Sequence, residues 1–344
     1  MRSLVRVVFL GVMISGMFQG SAQDTFSIVA VDSVTGEVGS AGASCVGSSS
    51  YYPHGAAILS DVIPGIGGIH TQASYLAGNQ ANAHNMMLAG SSPQEIIDWL
   101  ITHDAGGNPT IRQYGIVDLN GGSPRSAAYT GVNCLNYKND TAGLAYSIQG
   151  NILLGQEILD SMQTRFLNTS GSLAERLMAS LQGAKVIGAD TRCATPYNSS
   201  SLSAFLRVAK PANAYDSLYL DLWMAYPQNW SGLIPVDPID SLQTLFDLWQ
   251  IATSIGDPLA NPVLPVSVRH TDTGEVLFDF SRCPAGLQLT LTIYDLNGRL
   301  VYRMPVNRPF EKFNSQRSLA GSMYFYRVLT PQSNIGASGK FIIR

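Results

Sequence analysis

The sequence predicts an α+β domain followed by a small all-β unit. Three observations carry this. Along residues 25 to 250 the elements run strands, two helices, strands, two helices, strands, one helix. That order suits helices packed outside antiparallel sheets better than a parallel sheet with alternating helices. Only 13% of the residues are charged, about half the usual ~25% share, and 33 are glycine, a composition that favours strands and tight turns. The stretch "SIGDPLANPVLP" then breaks every periodicity, and only short strands follow it. With 344 residues the chain is long enough for two cores. The expected boundaries are 1–22 for a leader, 25–250 for the front domain, 251–262 for a linker and 263–344 for the tail.

The leader comes first. Arg2 and Arg6 precede an apolar run from Val7 to Phe18, and Gly20 and Ala22 stand at the −3 and −1 positions of a cleavage site. This reads as a secretory signal, because the run is short for a span of roughly 20 residues. No later segment is apolar enough to cross a bilayer, so the mature chain is expected to have no transmembrane span.

"TFSIVAVDSVTGEVGSAGAS" alternates through Ile28, Ala30 and Asp32, turns at Thr35-Gly36 and resumes at Val38, as a hairpin does. "PGIGGIHTQAS" is a Gly-rich strand ending near Gln72. "SYLAGNQANAHNMMLAG" and "SPQEIIDWLITHD" are a helix pair, the second opened by a Ser92 cap, Pro93 at the first helical position and Glu95. "TIRQYGIVDLNGG" and "SAAYTG" are strands around Asn120-Gly121, and "GLAYSIQGN" is another strand. "GQEILDSMQTRFLN" and "GSLAERLMASLQGA" are amphipathic helices. "LSAFLRVAK" and "SLYLDLWM" are strands, and "DPIDSLQTLFDLWQ" is the closing helix. Past the break, "VSVRHTD", "VLFDFS", "LTLTIYDLNGRLVYRM", "SMYFYRVLT" and "GKFIIR" predict a small antiparallel β-sandwich.

Several function classes find no footing. A net charge of −3 advertises neither nucleic acid nor an anionic membrane as partner. His54, His70, His84, His103 and His270 are scattered, and there is no CxxC or HExxH, so no metal is expected. "GIGG" at Gly65 to Gly68 lacks a Walker lysine, no G-x-S-x-G elbow supports a Ser-His-Asp triad, and no organic cofactor is implied. Cys45, Cys134, Cys193 and Cys283 allow three full disulfide pairings, among which sequence does not choose.

The tail resembles the C-terminal sorting domain read by the type IX secretion system. The matching residues are Asn261-Pro262, "IYDLNGR" (Ile293 to Arg299), "GSMYFYRV" (Gly321 to Val328) and the terminal "GKFIIR" (Gly339 to Arg344). The alternative is a carbohydrate-binding or stalk module. The resemblance implies an address tag, the type IX machinery as partner, and export through the periplasm to the cell surface or medium.

The front domain resembles domain of unknown function 1028, a family placed among the N-terminal-nucleophile hydrolase folds. The resemblance rests on "TFSIVAVDSVTGEVGSAGAS", "PGIGGIHTQA", "TGVNC", "YSIQGN", "AERLMASLQGAKVIGADTR" and the helix after Asp237-Pro238. It implies a four-layer αββα sandwich and an amide hydrolase with Thr25 as nucleophile. A threonine hydroxyl needs a base, and a free α-amino group with pKa near 8 supplies one, whereas a peptide nitrogen does not. Cleavage after Ala22 leaves Gln23 and Asp24 ahead of Thr25. Either they are removed, for instance by attack of the Thr25 hydroxyl on the Asp24 carbonyl, or Thr25 stays internal as a β-branched residue opening a strand.

Around it, Gln149, Gly150 and Asn151 are expected at a turn that presents the Asn151 amide and backbone N–H groups to an oxyanion, or that caps the next helix. Thr71 and Gln72 end a strand where close backbone approach is allowed and line the same pocket, or cap a helix. Asp190 and Arg192 orient the threonine or grip a carboxylate, or form a surface ion pair. Ser44, across the hairpin from Thr25, relays a proton or contacts substrate. Cys45 is a second nucleophile or a disulfide partner. The rival to the enzyme is a secreted binding protein on the same fold.

Overall fold

A computed structural model describes residues 25–254, 266–270, 275–283, 288–295, 299–307, 309–313, 323–330 and 333–342. The leader, Gln23 and Asp24, most of the linker, Asn261-Pro262, Asn297-Gly298 and Gly321 lie outside the described residues.

The chain opens with the hairpin β1 (Thr25–Val31) and β2 (Val38–Ser44), paired from Thr25↔Ser44 to Val31↔Val38. Asp32 Oδ1 accepts from the Val34 and Thr35 amides, and Gly36 takes φ +72° to close the turn. Next come β3 (Ser60–Ile63), β4 (Gly67–Gln72), α1 (Ala77–Leu88), α2 (Pro93–Thr102), β5 (Gln113–Asn120), β6 (Ser123–Thr130), β7 (Asn139–Gly143) and β8 (Tyr146–Gly150). α3 (Gln156–Asn168), α4 (Leu173–Gly183), β9 (Ser203–Ala209), β10 (Leu220–Ala225) and α5 (Pro238–Ser254) complete the front domain. α5 runs four residues past the boundary expected at 250, into the start of the expected linker. Both α2 and α4 start on a capping box, Ser92 with Glu95 and Ser172 with Glu175, which satisfies amide donors that a helix start leaves open.

The strands form a six-stranded antiparallel sheet, β10-β9-β2-β1-β8-β7, and a four-stranded one, β3-β4-β5-β6. α3, α4 and α5 cover one face of the larger sheet, and α1 and α2 one face of the smaller. The two remaining faces meet, β1 on β4 and β5, β8 on β5 and β6. This explains why every residue of β1 is buried although its sequence alternates. Phe26, Ile28 and Ala30 join the helix-side core, while Thr25, Ser27 and Val29 point at the other sheet. Gly68 permits the approach expected of the Gly-rich strand, because a Cβ there would sit 2.5 Å from Val29 Cγ2.

The tail is antiparallel β. β11 (Ser267–His270), β12 (Val276–Asp279), β13 (Leu289–Tyr294), β14 (Leu300–Val306), β15 (Phe310–Phe313), β16 (Met323–Thr330) and β17 (Ser333–Ile342) make two sheets, β11-β12-β15 and β14-β13-β16-β17. Phe278 and Phe313 of the first pack with Leu291, Ile293, Tyr324, Tyr326 and Val328 of the second in one apolar cluster. Among the described residues no helix is long and apolar enough to cross a membrane.

Candidate functional site

The surface where the two sheets meet is polar at one end. Ser27, Ser40, His70, Gln72, Gln113, Ser147 and Gln149 are all buried there. Buried polar groups persist only when hydrogen-bonded, and these bond to one another. Ser27 Oγ donates to Gln72 Oε1 at 2.6 Å and accepts from Gln149 Nε2 at 2.7 Å. Having given its proton to Gln72, Ser27 can only accept from His70 Nδ1 at 2.8 Å. The His70 proton therefore sits on Nδ1, and Nε2 accepts from Ser40 Oγ at 2.5 Å. Gln149 Nε2, 3.0 Å from His70 Nδ1, is then a neighbour of that nitrogen and not its partner. Burial, with the Arg207 charge adding to it, lowers the His70 pKa to about 3, so the ring is neutral. Among the described residues no carboxylate bonds to it, so they supply no Ser-His-Asp triad at His70.

Gln113 is the hub. Its Nε2 donates to the Gly150 carbonyl at 2.9 Å, the Asn139 carbonyl at 3.1 Å and Thr130 Oγ1 at 2.7 Å. Backbone carbonyls only accept, so they fix which way this amide points. Its Oε1 then accepts from Gln72 Nε2 at 2.7 Å and Asn151 Nδ2 at 3.0 Å. That in turn orients Gln72 and Asn151, and both reach the same target. Gln72 Nε2 at 3.2 Å and the Asn151 backbone N–H at 3.1 Å converge on the Thr25 carbonyl.

Thr25 thus begins the strand with its carbonyl held from two sides and Ser44 opposite it. Asp190 lies at the same end of the sheet. Its Oδ2 accepts from the Cys45 backbone N–H at 2.8 Å, next to Ser44, and it bridges to Leu153, just past Asn151. Arg192 grips it through two donors, Nε to Oδ1 at 3.0 Å and Nη2 to Oδ2 at 2.7 Å. The backbone here is strained. Ile152, directly after Asn151, has φ +52°, and Ala73 and Ser74, directly after Gln72, have φ +52° and +57°. A β-branched residue in this region costs on the order of 1–3 kcal/mol, and such strain collects at functional sites. The conformation of Ile152 is held by its N–H on the Leu135 carbonyl at 3.2 Å and by its own carbonyl, which accepts from the Thr191 N–H at 3.0 Å.

The structure brings Thr25, Ser44, Gln72, Asn151, Asp190 and Arg192 to one end of the sheet pair. It redistributes some expected roles. Asn151 does not cap α3, whose N-cap is Gly155. The Asn151 backbone N–H holds the Thr25 carbonyl and one Nδ2–H holds Gln113 Oε1. Its Oδ1 is buried and has no partner among the described residues. Gln149 lies inside the seam, its side chain over Gly115, where a Cβ would come within 1.9 Å of Gln149 Oε1. Gly150 is a strand residue paired with Phe26. Thr71 alternates with Gln72 and shares the face of Ile69, toward α1 and α2, so it does not line the Thr25 side. Asp190 is wholly buried, so the pair with Arg192 is not a surface ion pair. Cys45 is disulfide-bonded to Cys193 and is no nucleophile. Cys134 is buried with its Sγ on the Arg112 carbonyl at 3.3 Å.

Sequence reasoning missed Gln113, Ser27 and Ser40. The available signal was small polar residues at alternate positions of strands otherwise rich in Ala, Val and Ile. Among the described residues there is no group of three or more His, Cys, Asp or Glu able to hold a metal ion.

The model of a family of unknown function, DUF1028, matches residues 25–229. A crystal structure of a DUF1028 protein from Silicibacter pomeroyi aligns with a TM-score of 0.51 at 23% identity, covering 68% of this chain and 88% of that one. At that identity the likeness speaks for the fold alone. No curated protein matches the chain.

Proposed function

The chain belongs to DUF1028, a family of unknown function, and on that premise we propose that it is an exported amide hydrolase whose nucleophile is Thr25 at a newly made N-terminus. The fold we assign to the front domain is the four-layer αββα sandwich of N-terminal-nucleophile hydrolases, a reading supported by helices on the outer face of each sheet. The single observation that carries the function is the holding of Thr25. A strand-opening threonine does not need its carbonyl clamped by two donors beside three residues in the left-handed region.

In this reading the free α-amino group takes the Oγ proton as Oγ attacks the substrate carbonyl. The C–N bond breaks, the leaving amine takes that proton, and water then opens the ester on Thr25. Asn151 Oδ1, a buried acceptor with no partner among the described residues, would in this reading accept from the amine. Thr25 has a free α-amino group only after Gln23 and Asp24 are gone, so this reading requires their removal. Intact mass and N-terminal sequencing of protein from the native host test it. A start at Thr25, with amide hydrolysis lost in Thr25→Ala, is the expected result. A start at Gln23 overturns it.

The second reading is a secreted binding protein on the same fold with Thr25 internal. The saturation of Asp190 favours it, since both carboxylate oxygens are already taken by Cys45 and Arg192. For the tail we propose a type IX sorting domain, with the type IX machinery as partner and the cell surface or medium as destination. Deleting Leu264 to Arg344 then strands the protein in the periplasm, and unchanged export refutes the assignment.

A further inference from the structure

The six-stranded sheet is wider than the four-stranded sheet that faces it. β3 is the last strand of the smaller sheet on that side, so β10 and part of β9 overhang it. The overhang is roofed by the segment from Tyr52 to Leu59 and by the start of α1, and a cavity of about 210 Å³ remains beneath. Tyr52, Pro53, His54, Ala57 and Ile58 give it apolar and ring-bearing walls, and Ser60, Gln80 and Arg207 are polar. It is not the Thr25 site. Thr25 pairs with Ser44, whereas Arg207 pairs with Ser40, four residues or roughly 13 Å further along the strand.

Its lining is built, not incidental. The His54 ring stacks on Trp223 at 4.1 Å between centroids, which fixes one wall. Arg207 is held by Nε on Asp221 Oδ1 at 2.9 Å and by Nη1 on the carbonyls of Ala57 and Ser60 at 3.1 and 3.0 Å. Its Nη2 makes no hydrogen bond among the described residues. Gln80 Nε2 donates once, to the Ile58 carbonyl at 3.1 Å, which leaves it a second N–H. The volume lies below the ~300–1,000 Å³ of drug-sized sites.

We propose that this cavity binds a small monocarboxylate with a flat apolar body. The carboxylate would sit on Arg207 Nη2, the one edge of an otherwise immobilised guanidinium left open, and the body between the Tyr52 and His54 rings and Ile58. One open edge on a guanidinium whose Nε is already paired with Asp221 suits a single negative charge. A dianionic phosphate would also meet the Asp221 carboxylate held by the same guanidinium and be repelled by it.

The test uses the full chain and benzoate as probe, by ligand-observed saturation-transfer NMR and calorimetry. Benzoate is expected to bind with a millimolar or tighter dissociation constant. Binding should weaken about tenfold or more in Arg207→Gln, which removes a charged hydrogen bond. Ile58→Trp fills the cavity without touching the guanidinium, and serves as well if Arg207→Gln fails to fold. It should abolish binding at a near-unchanged melting temperature. Absence of benzoate binding overturns the proposal, as does binding unchanged in a folded variant or displacement of benzoate by an equal concentration of inorganic phosphate.

Discussion

Replacing Gln113 by leucine tests the seam that holds Thr25. Leucine has nearly the same volume and removes every polar contact at once. Two of the five partners keep other bonds. Gln72 Nε2 still reaches the Thr25 carbonyl, and Thr130 Oγ1 still has Asp140. Asn151 Nδ2 loses its Gln113 partner and the Gly150 carbonyl loses a donor deep between the sheets, whereas the carbonyl of Asn139, an exposed residue of the edge strand β7, can turn to water. With about two groups left short at ~1–3 kcal/mol each, the front domain should lose roughly 2–5 kcal/mol. For a domain of this size that is a fall of about 4–20 °C in its melting transition. Urea unfolding followed by Trp fluorescence measures it, with Gln94→Leu as control. Gln94 is exposed and its side chain bonds Asp98 alone among the described residues, so the control should stay within about 0.5 kcal/mol. A loss below about 1 kcal/mol in Gln113→Leu would mean that the seam relaxes around the gap, and the argument that Gln113 orients Gln72 and Asn151 would fall.

Further expectations concern stability and its pH dependence. His70 is neutral when folded, with a pKa of about 3 against 6.5 for the free side chain, so the unfolded chain binds an extra proton between those values. Stability should fall as the pH drops from 6.5 toward 3, by up to ~1.4 kcal/mol per unit from this residue, and a His70→Gln chain should show a flatter profile in acid titrations. The Cys45–Cys193 bond spans 148 residues, so the Cys45→Ala/Cys193→Ala chain should lose about 2–5 kcal/mol in urea. Wild type in reducing agent should move by the same amount, and a larger loss in the double variant would point to packing. Ser172→Ala removes the capping box of α4 and should cost ~1 kcal/mol in the same experiment, with no loss if the cap is replaced by water.

The elements most legible in the sequence had local grammar. The first hairpin announced itself through Thr35-Gly36, and α2 through Ser92, Pro93 and Glu95. β3 and β7 went unread because neither owns its conformation. "SDVI" is a four-residue edge strand ordered by β4, and "NDTAG" carries no large apolar residue and is a strand only because β8 offers it a ladder. α5 outran its expected end because Thr253 and Ser254 look like linker while the helix simply continues. The site was legible as words in order, but its wiring was not. That Gln72, Gln113 and Asn151 meet at Thr25 depends on two sheets being laid face to face, and no local pattern encodes which polar residue will find which. The same holds for His70, a stray histidine in the sequence that proves to be locked between Ser27 and Ser40.

The grip on Thr25 has a consequence for how the chain can mature. Its carbonyl takes the Gln72 and Asn151 donors, and its backbone pairs with Ser44 across the hairpin. These bonds come from β2, β4 and the residue after β8, all of which follow Thr25 in the chain. Under the proposed maturation they would survive the cut, so trimming would change the chemistry of the first residue while leaving this part of its address in place.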